Sequence, residues 1–209
     1  MMTTSAAHHY MLMLLLSIFP GVVLAWWRAR QSGIAFGEYI RLIPERSSII
    51  RLSVYGIACY CAAVIGRTAI NTLLSSSDPG AVYIQPATTQ IMRNIAQLMP
   101  LTTISFVVAV AIIEEIIFRG WLISEIQRLC ARNKDFVQLS RPIVANILAV
   151  AATSILFAMS HASLPFFPAF LVVGIVFGSA RVLTGSLVPS VVAHVLMNYI
   201  AALSATGWI

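Results

Sequence analysis

Two adjacent glutamates, Glu114 and Glu115, stand in the otherwise apolar run Ala111-Ile-Ile-Glu-Glu-Ile-Ile-Phe-Arg-Gly120, and Arg119 follows Glu115 at i+4. Farther along, Phe157 precedes His161 at the same interval, and His194 precedes Asn198. Side chains at i and i+4 share one helical face, so Glu115 and Arg119 form a local ion pair with the acid on the favoured N-terminal side. Glu114 lies about 100° round the helix and must be satisfied by another helix, by water or by a proton. His194 and Asn198 project from one face as two N–H donors aimed at a common point, and Phe157 can wall the site beneath His161. An acid, two imidazoles and an amide suffice for hydrolysis: a carboxylate takes a proton from water, and donors hold the oxygen that becomes negative.

The medium makes these residues informative. Of 209 residues, 59% are hydrophobic and only 10% are charged, with a mean hydropathy of +0.90; soluble domains carry about a quarter charged residues. Thirteen Lys and Arg with seven Asp and Glu cannot coat a soluble domain of this size. A helix needs about 20 mainly apolar residues to cross a bilayer, and six stretches qualify: 10–27, 49–74, 98–122, 143–162, 166–183 and 187–205. The expected fold is all-α, a polytopic transmembrane helical bundle of about six spans. A charge at the centre of such a helix costs about 2.5 to 3.5 kcal/mol on insertion scales, so the glutamates call for a function or a partner. Taken singly, the Glu115–Arg119 pair reads as structural and a lone histidine as a bond to a neighbouring helix; convergence on three spans favours a reaction centre. Arg67 and Asn71 read as packing or interfacial residues.

The chain reads as one integrated domain. Residues 1–97 supply two N-terminal helices, a cytoplasmic loop and an extramembrane connection, and residues 98–209 form the core that carries the polar residues. The first run is preceded only by His8 and His9, solvated tail residues, and followed by Arg28 and Arg30; lacking a positive n-region, it reads as a retained span closed by Trp26 and Trp27. The segment from Gly33 to Arg46 reads as an interfacial helix before Pro44, and Ser75 to Thr89 as an irregular connection. Tight turns at Ser163 to Pro165 and Thr184 to Ser186 make the last three spans antiparallel neighbours.

Arg28, Arg30, Arg41, Arg46 and Arg51 fall in the first loop, Arg128, Arg132, Lys134 and Arg141 in the third, and Arg181 in the fifth, against Arg93 alone in the second. Positive loops face the cytoplasm, so both termini are expected on the other side. The net charge of +6 is therefore topological, and no basic stripe points to nucleic acid. Cys59 and Cys61 read as small hydrophobes within a span, and Cys130 as an idle thiol.

The run Glu114-Glu115-Ile-Ile-Phe118-Arg119-Gly120, then Phe157-x-x-x-His161, then His194-x-x-x-Asn198, resembles in order and spacing the three motifs of the CPBP family of intramembrane proteases, which includes the eukaryotic CAAX prenyl endopeptidase. The approach to the third motif, Thr184-Gly-Ser-Leu-Val-Pro-Ser, is similar too, and the likeness covers roughly residues 98–205. It implies a membrane-embedded endopeptidase cutting a peptide bond in or near the bilayer. Glu114 would be the general base, assisted by His161; His194 and Asn198 would stabilise the oxyanion; Glu115, Arg119 and Phe157 would support them. No cofactor is then expected. The alternative is zinc on Glu114, His161 and His194 with an open position for water, although no HExxH is present.

The expected partners are a peptide or protein substrate, anchored in the membrane, and the lipid bilayer, with no nucleic acid. The family would allow prenylated CAAX tails, C-terminal sorting signals or leader peptides, and bacteriocin immunity. The lack of long soluble segments suggests a compact bacterial member in the plasma membrane and ranks other peptide tails above prenylated ones. Two rival readings are a proton-coupled transporter and a non-catalytic membrane scaffold or immunity protein. The ordered triple motif and the absence of an inverted repeat argue against the first, and retention of every motif residue against the second. One question is geometric. His161 falls near the non-cytoplasmic end of its span and His194 only about 8 residues, roughly 12 Å, from the cytoplasmic turn. They meet only if the fourth helix begins inside the cytoplasm or tilts strongly.

Overall fold

The computed structural model describes residues 3–42, 48–77, 87–132, 142–161 and 166–208. Among them the secondary structure is helical throughout, and six helices are long and apolar enough to cross a membrane. Their outward faces carry exposed large apolar side chains, such as Leu12, Leu16 and Phe19 early in the chain, Ile50 and Ile65 next, and Ile143 and Ile147 later. Because helices satisfy most of their backbone polar groups internally, these faces suit hydrocarbon, and the protein is an integral membrane protein.

Helix α1 spans Thr4–Gln31, capped by Thr3, whose side chain accepts from the Ala6 amide. It exceeds the expected 10–27 because the polar residues at both ends continue the helix beyond the apolar run; His8 and His9 are exposed on it. Helix α2 is a single turn, Phe36–Tyr39, where a longer interfacial helix was expected. Helix α3 spans Ile49–Ser77. Helix α4, Ala87–Leu98, runs into the third span; its Ile95 packs with Ala7, Met11 and Phe106. The sequence reading did not anticipate this helix, which is short and contains no apolar run. The connection 78–86, the turn 162–165, and Pro44, Arg46, Lys134 and Arg141 lie outside the described residues.

The third span departs most from expectation. Helix α5, Pro100–Glu115, passes into a π-helical segment, Ile116–Leu122, and then helix α6, Ile123–Arg132, giving one continuous helix of 33 residues where 98–122 was expected. Hydropathy stops at Leu122 because the sequence turns amphipathic, but the helix is held by contacts hydropathy cannot see. Arg28 Nη2 donates to Glu125 Oε2 at 3.2 Å, Arg128 Nη1 to Glu125 Oε1 at 3.1 Å, and the Tyr39 hydroxyl also bonds Glu125. Arg128 and Arg132 thus stand on a helix rather than in a loop.

Helices α7 (Pro142–Ser160), α8 (Phe167–Thr184) and α9 (Val188–Thr206) complete the bundle. Gly185 ends α8 at φ 67°, a left-handed conformation that a side chain would penalise. Ser186 Oγ accepts from the Val188 amide and donates to the Leu42 carbonyl, and the Leu187 amide donates to the Arg41 carbonyl at 2.8 Å. The turn before α9 is therefore pinned to the chain that leaves α2. Helix α9 packs against both α3 and α5, and α8 against α7 and α3. Ala63, Phe157, Val173, Phe177 and Ala193 form the core between them, with Cys59 at its edge.

Candidate active site

The two glutamates sit where α5 meets the π-helical segment, a helical irregularity often associated with functional sites. Glu115 and Arg119 are both fully buried and paired, Arg119 Nη1 donating to Glu115 Oε1 at 2.9 Å. The guanidinium is enclosed by aromatic rings, its Cζ lying 4.2 Å from the Phe157 centroid, 5.5 Å from Phe177 and 5.8 Å from Phe118. Ring faces attract a cation most strongly when water is excluded, so the cage supports a charge that one carboxylate oxygen neutralises. Among the described residues, Arg119 Nε and Nη2 and Glu115 Oε2 have no hydrogen-bond partner.

His194 ties the two glutamates together. Its Nδ1 lies 2.9 Å from Glu115 Oε1, and its Nε2 lies 3.6 Å from Glu114 Oε2. A carboxylate bound by Arg119 accepts, so Nδ1 carries the proton and donates to it. Nε2 is left facing Glu114 at a separation longer than a direct hydrogen bond. Phe157 meets the imidazole edge-on at 5.7 Å, and Phe177 lies 5.5 Å away.

Glu114 is the carboxylate of the pair that opens outward. It lines a cavity of about 520 Å³ between α1, α5 and α9, together with Phe118, Ser160 and Asn198. Asn198 stands one turn beyond His194 on α9, its Nδ2 donating to the Val107 carbonyl at 3.3 Å. His161 lies elsewhere. Its Nδ1 is 2.8 Å from the Phe157 carbonyl, and its ring stacks on Phe170 at 4.0 Å.

The Phe157 ring, 4.6 Å from His161 and 5.7 Å from His194, contacts both imidazoles and answers the geometric question. The two histidines are connected through this one aromatic ring. The structure thus brings Glu114, Glu115, Arg119 and His194 together in one cluster. It puts Asn198 on the cavity wall beside Glu114 and keeps His161 out of hydrogen bonding with either glutamate. Among the described residues no group of three His, Cys, Asp or Glu side chains is arranged to hold a metal ion.

Three contributors escaped the sequence reading. Phe177 packs on both Arg119 and His194, but an aromatic residue in an apolar span is indistinguishable from ordinary core. Ser160, adjacent to His161, lines the cavity and donates to the Phe157 carbonyl at 2.8 Å. The Val107 carbonyl that receives Asn198 is backbone and leaves no sequence signal.

Residues 96–200 match the family model described as type II CAAX prenyl endopeptidase Rce1-like. A curated relative, the membrane-embedded CAAX protease MroQ of Staphylococcus aureus (strain USA300), is 27% identical over 119 residues. The match covers 57% of this chain and 44% of that relative, so the chain spans less than half of its length. No solved structure matches the chain.

Proposed function

The chain belongs to the Rce1-like family of type II CAAX prenyl endopeptidases, and from that premise we propose that it is a membrane-embedded endopeptidase in which Glu114 activates water. The observation that carries the reading is the asymmetry of the glutamate pair. Glu115 is sealed and held by Arg119 and His194, whereas Glu114 opens on a cavity able to hold water and a peptide. Arg119, Glu115, His194 and Glu114 alternate in sign when His194 carries two protons, and an alternating chain limits the cost of charge in a poorly solvated site.

In this mechanism a water beside Glu114 loses a proton to the carboxylate as its oxygen attacks the peptide carbonyl carbon. The carbonyl oxygen becomes an oxyanion. Asn198 donates to it through the Nδ2 hydrogen that the Val107 bond leaves available, and His194 through Nε2–H, while Glu115 fixes the imidazole at Nδ1. Collapse of the tetrahedral intermediate expels the amine, which takes the proton from Glu114. His161, anchored through Nδ1 to the Phe157 carbonyl, assists through water from beside Ser160. Phe157 keeps the imidazoles and the guanidinium in place.

The substrate is a membrane-anchored peptide, a C-terminal tail or sorting signal, ranked above prenylated tails. The protein lies in a bacterial plasma membrane with both termini outside, as the loop arginines favour. The test is cleavage of a peptide library by detergent-purified protein, comparing wild type with Glu114→Gln, with and without a zinc chelator. Cleavage lost in Glu114→Gln and indifferent to chelation supports the mechanism. Loss on chelation replaces it with a metal mechanism, and full activity in Glu114→Gln removes the base.

A further inference from the structure

The cavity in front of Glu114 has a wall that lies outside the region matched by the family. Leu14, Ser17, Ile18 and Gly21 of α1 line it opposite Glu114 and Asn198. Their spacing of i, i+3, i+4 and i+7 makes one continuous helical stripe. The outer side of the same helix is exposed, Leu12 by 52%, Leu16 by 56% and Phe19 by 55%. Helix α1 is therefore a partition one helix thick between the cavity and the surrounding lipid.

Two features shape this partition at the level of the glutamates. Gly21 lies against Ile117, where an added Cβ would come within 2.6 Å of Ile117 Cδ1 and 2.9 Å of Cγ1. Any side chain there would force Ile117 to shift before the α1 backbone could seat as it does. Pro20, inside the helix, lacks the amide that would bond the Leu16 carbonyl, so the helix is least constrained at the same level. Ser17 Oγ donates to the Leu14 carbonyl at 2.7 Å, which satisfies its hydroxyl within the helix and leaves a small surface with little polarity toward the cavity.

We propose that this face of α1 is the subsite for an apolar substrate side chain next to the scissile bond, with Ser17 and Gly21 setting the size it accepts. The inference rests on the endopeptidase reading and names what that site selects. The polar groups of the cavity, Glu114, Ser160 and Asn198, lie across from this stripe, so a peptide carbonyl turned toward them carries an adjacent side chain toward α1. A volume of about 520 Å³ is within the range of sites that enclose a small ligand, ample for a short stretch of peptide. The pocket presents no charge along α1 to pair with an acidic or basic side chain.

The experiment places a photoreactive amino acid at Ser17, at Phe19 on the lipid side, and at Val110 on the far wall, each in the full chain carrying Glu114→Gln, with a lipid-tethered peptide as probe. Capture from Ser17 and Val110 but not Phe19 is expected; capture from Val110 without Ser17 overturns the subsite. In the Glu114-intact protein, Ser17→Phe should lower kcat/KM for peptides with a Leu beside the scissile bond, relative to Ala, by on the order of tenfold or more. Leu14→Ala should shift the preference the other way. An unchanged Leu-to-Ala ranking in both variants also overturns it. Crosslinking as expected with no cleavage by wild type overturns the endopeptidase reading and with it the placement beside a scissile bond, whereas cleavage by wild type without capture from Ser17 overturns the subsite alone.

Discussion

His194 Nδ1 lies 2.9 Å from Glu115 Oε1, the same oxygen that receives Arg119 Nη1 at 2.9 Å. One buried carboxylate oxygen therefore organises a cation from its own helix and an imidazole from α9, and leaves the neighbouring Glu114 to face the cavity. The adjacent glutamates, identical in type, are given different surroundings by which way each one points.

Glu114→Gln and Glu115→Gln should fail differently. Glu114→Gln is expected to lower kcat by about 10² to 10⁴, the usual worth of a general base, with thermal stability in detergent little changed. Glu115→Gln leaves Arg119 buried without a counter-charge and should cost about 3 to 5 kcal/mol of stability. Parallel turnover and unfolding measurements on both variants check the division; equal stability losses would contradict it.

Arg119→Met in the Glu115→Gln background should recover a large part of the stability lost by Glu115→Gln alone, because it removes the uncompensated charge and keeps apolar contact with Phe157 and Phe177. Activity should stay low, since His194 has lost its anchor. The readout is a double-mutant cycle on unfolding, with turnover measured alongside.

Asn198→Ala removes a donor from the cavity wall. By comparison with other oxyanion donors, kcat should fall by about 10² to 10³ with KM nearly constant. A rise in KM at unchanged kcat would instead assign Asn198 to substrate binding.

Tyr39, on α2 outside the spans, gives a pH-dependent signature through its bond to Glu125 in the first turn of α6. Burial, and then the hydrogen bond to Glu125, raise the Tyr39 phenol above its ordinary value of 10.0. The folded state holds this proton more tightly than the unfolded chain. The resulting stability is present below pH 10 and is lost as pH rises through the raised folded value. Unfolding midpoints followed into alkali should show this loss in wild type and lack it in Tyr39→Phe, which is also destabilised at neutral pH.

Topology can be read with the native thiols. Cys130 is partly exposed near the end of α6, and a membrane-impermeant thiol reagent applied to intact cells should label it only after permeabilisation. Thr3→Cys in a chain lacking Cys59, Cys61 and Cys130 should label without permeabilisation. The reverse pattern would invert the orientation.

Residue types and spacing already determined the medium, the all-α fold of six spans and the likeness to a protease family. Continuous apolar runs select lipid whatever they pack against, and an i, i+4 interval fixes which side chains share a face within one helix; the Glu115–Arg119 bond follows from that alone. The limits of this logic appear at Leu122, where the apolar run ends but the helix continues to Arg132 because Arg28, Arg128 and Tyr39 converge on Glu125. They appear again in α1, which carries no motif and yet walls the cavity.

Relations between helices were decided only by the tertiary structure. Each helix's rotation and axial offset result from side-chain packing summed over distant parts of the chain, and no local pattern encodes them. That packing turned His194 toward Glu115 and Glu114 and set Phe157 against both imidazoles. Gly21 against Ile117 is a contact across 96 positions, and its existence depends on how two whole helix surfaces fit together.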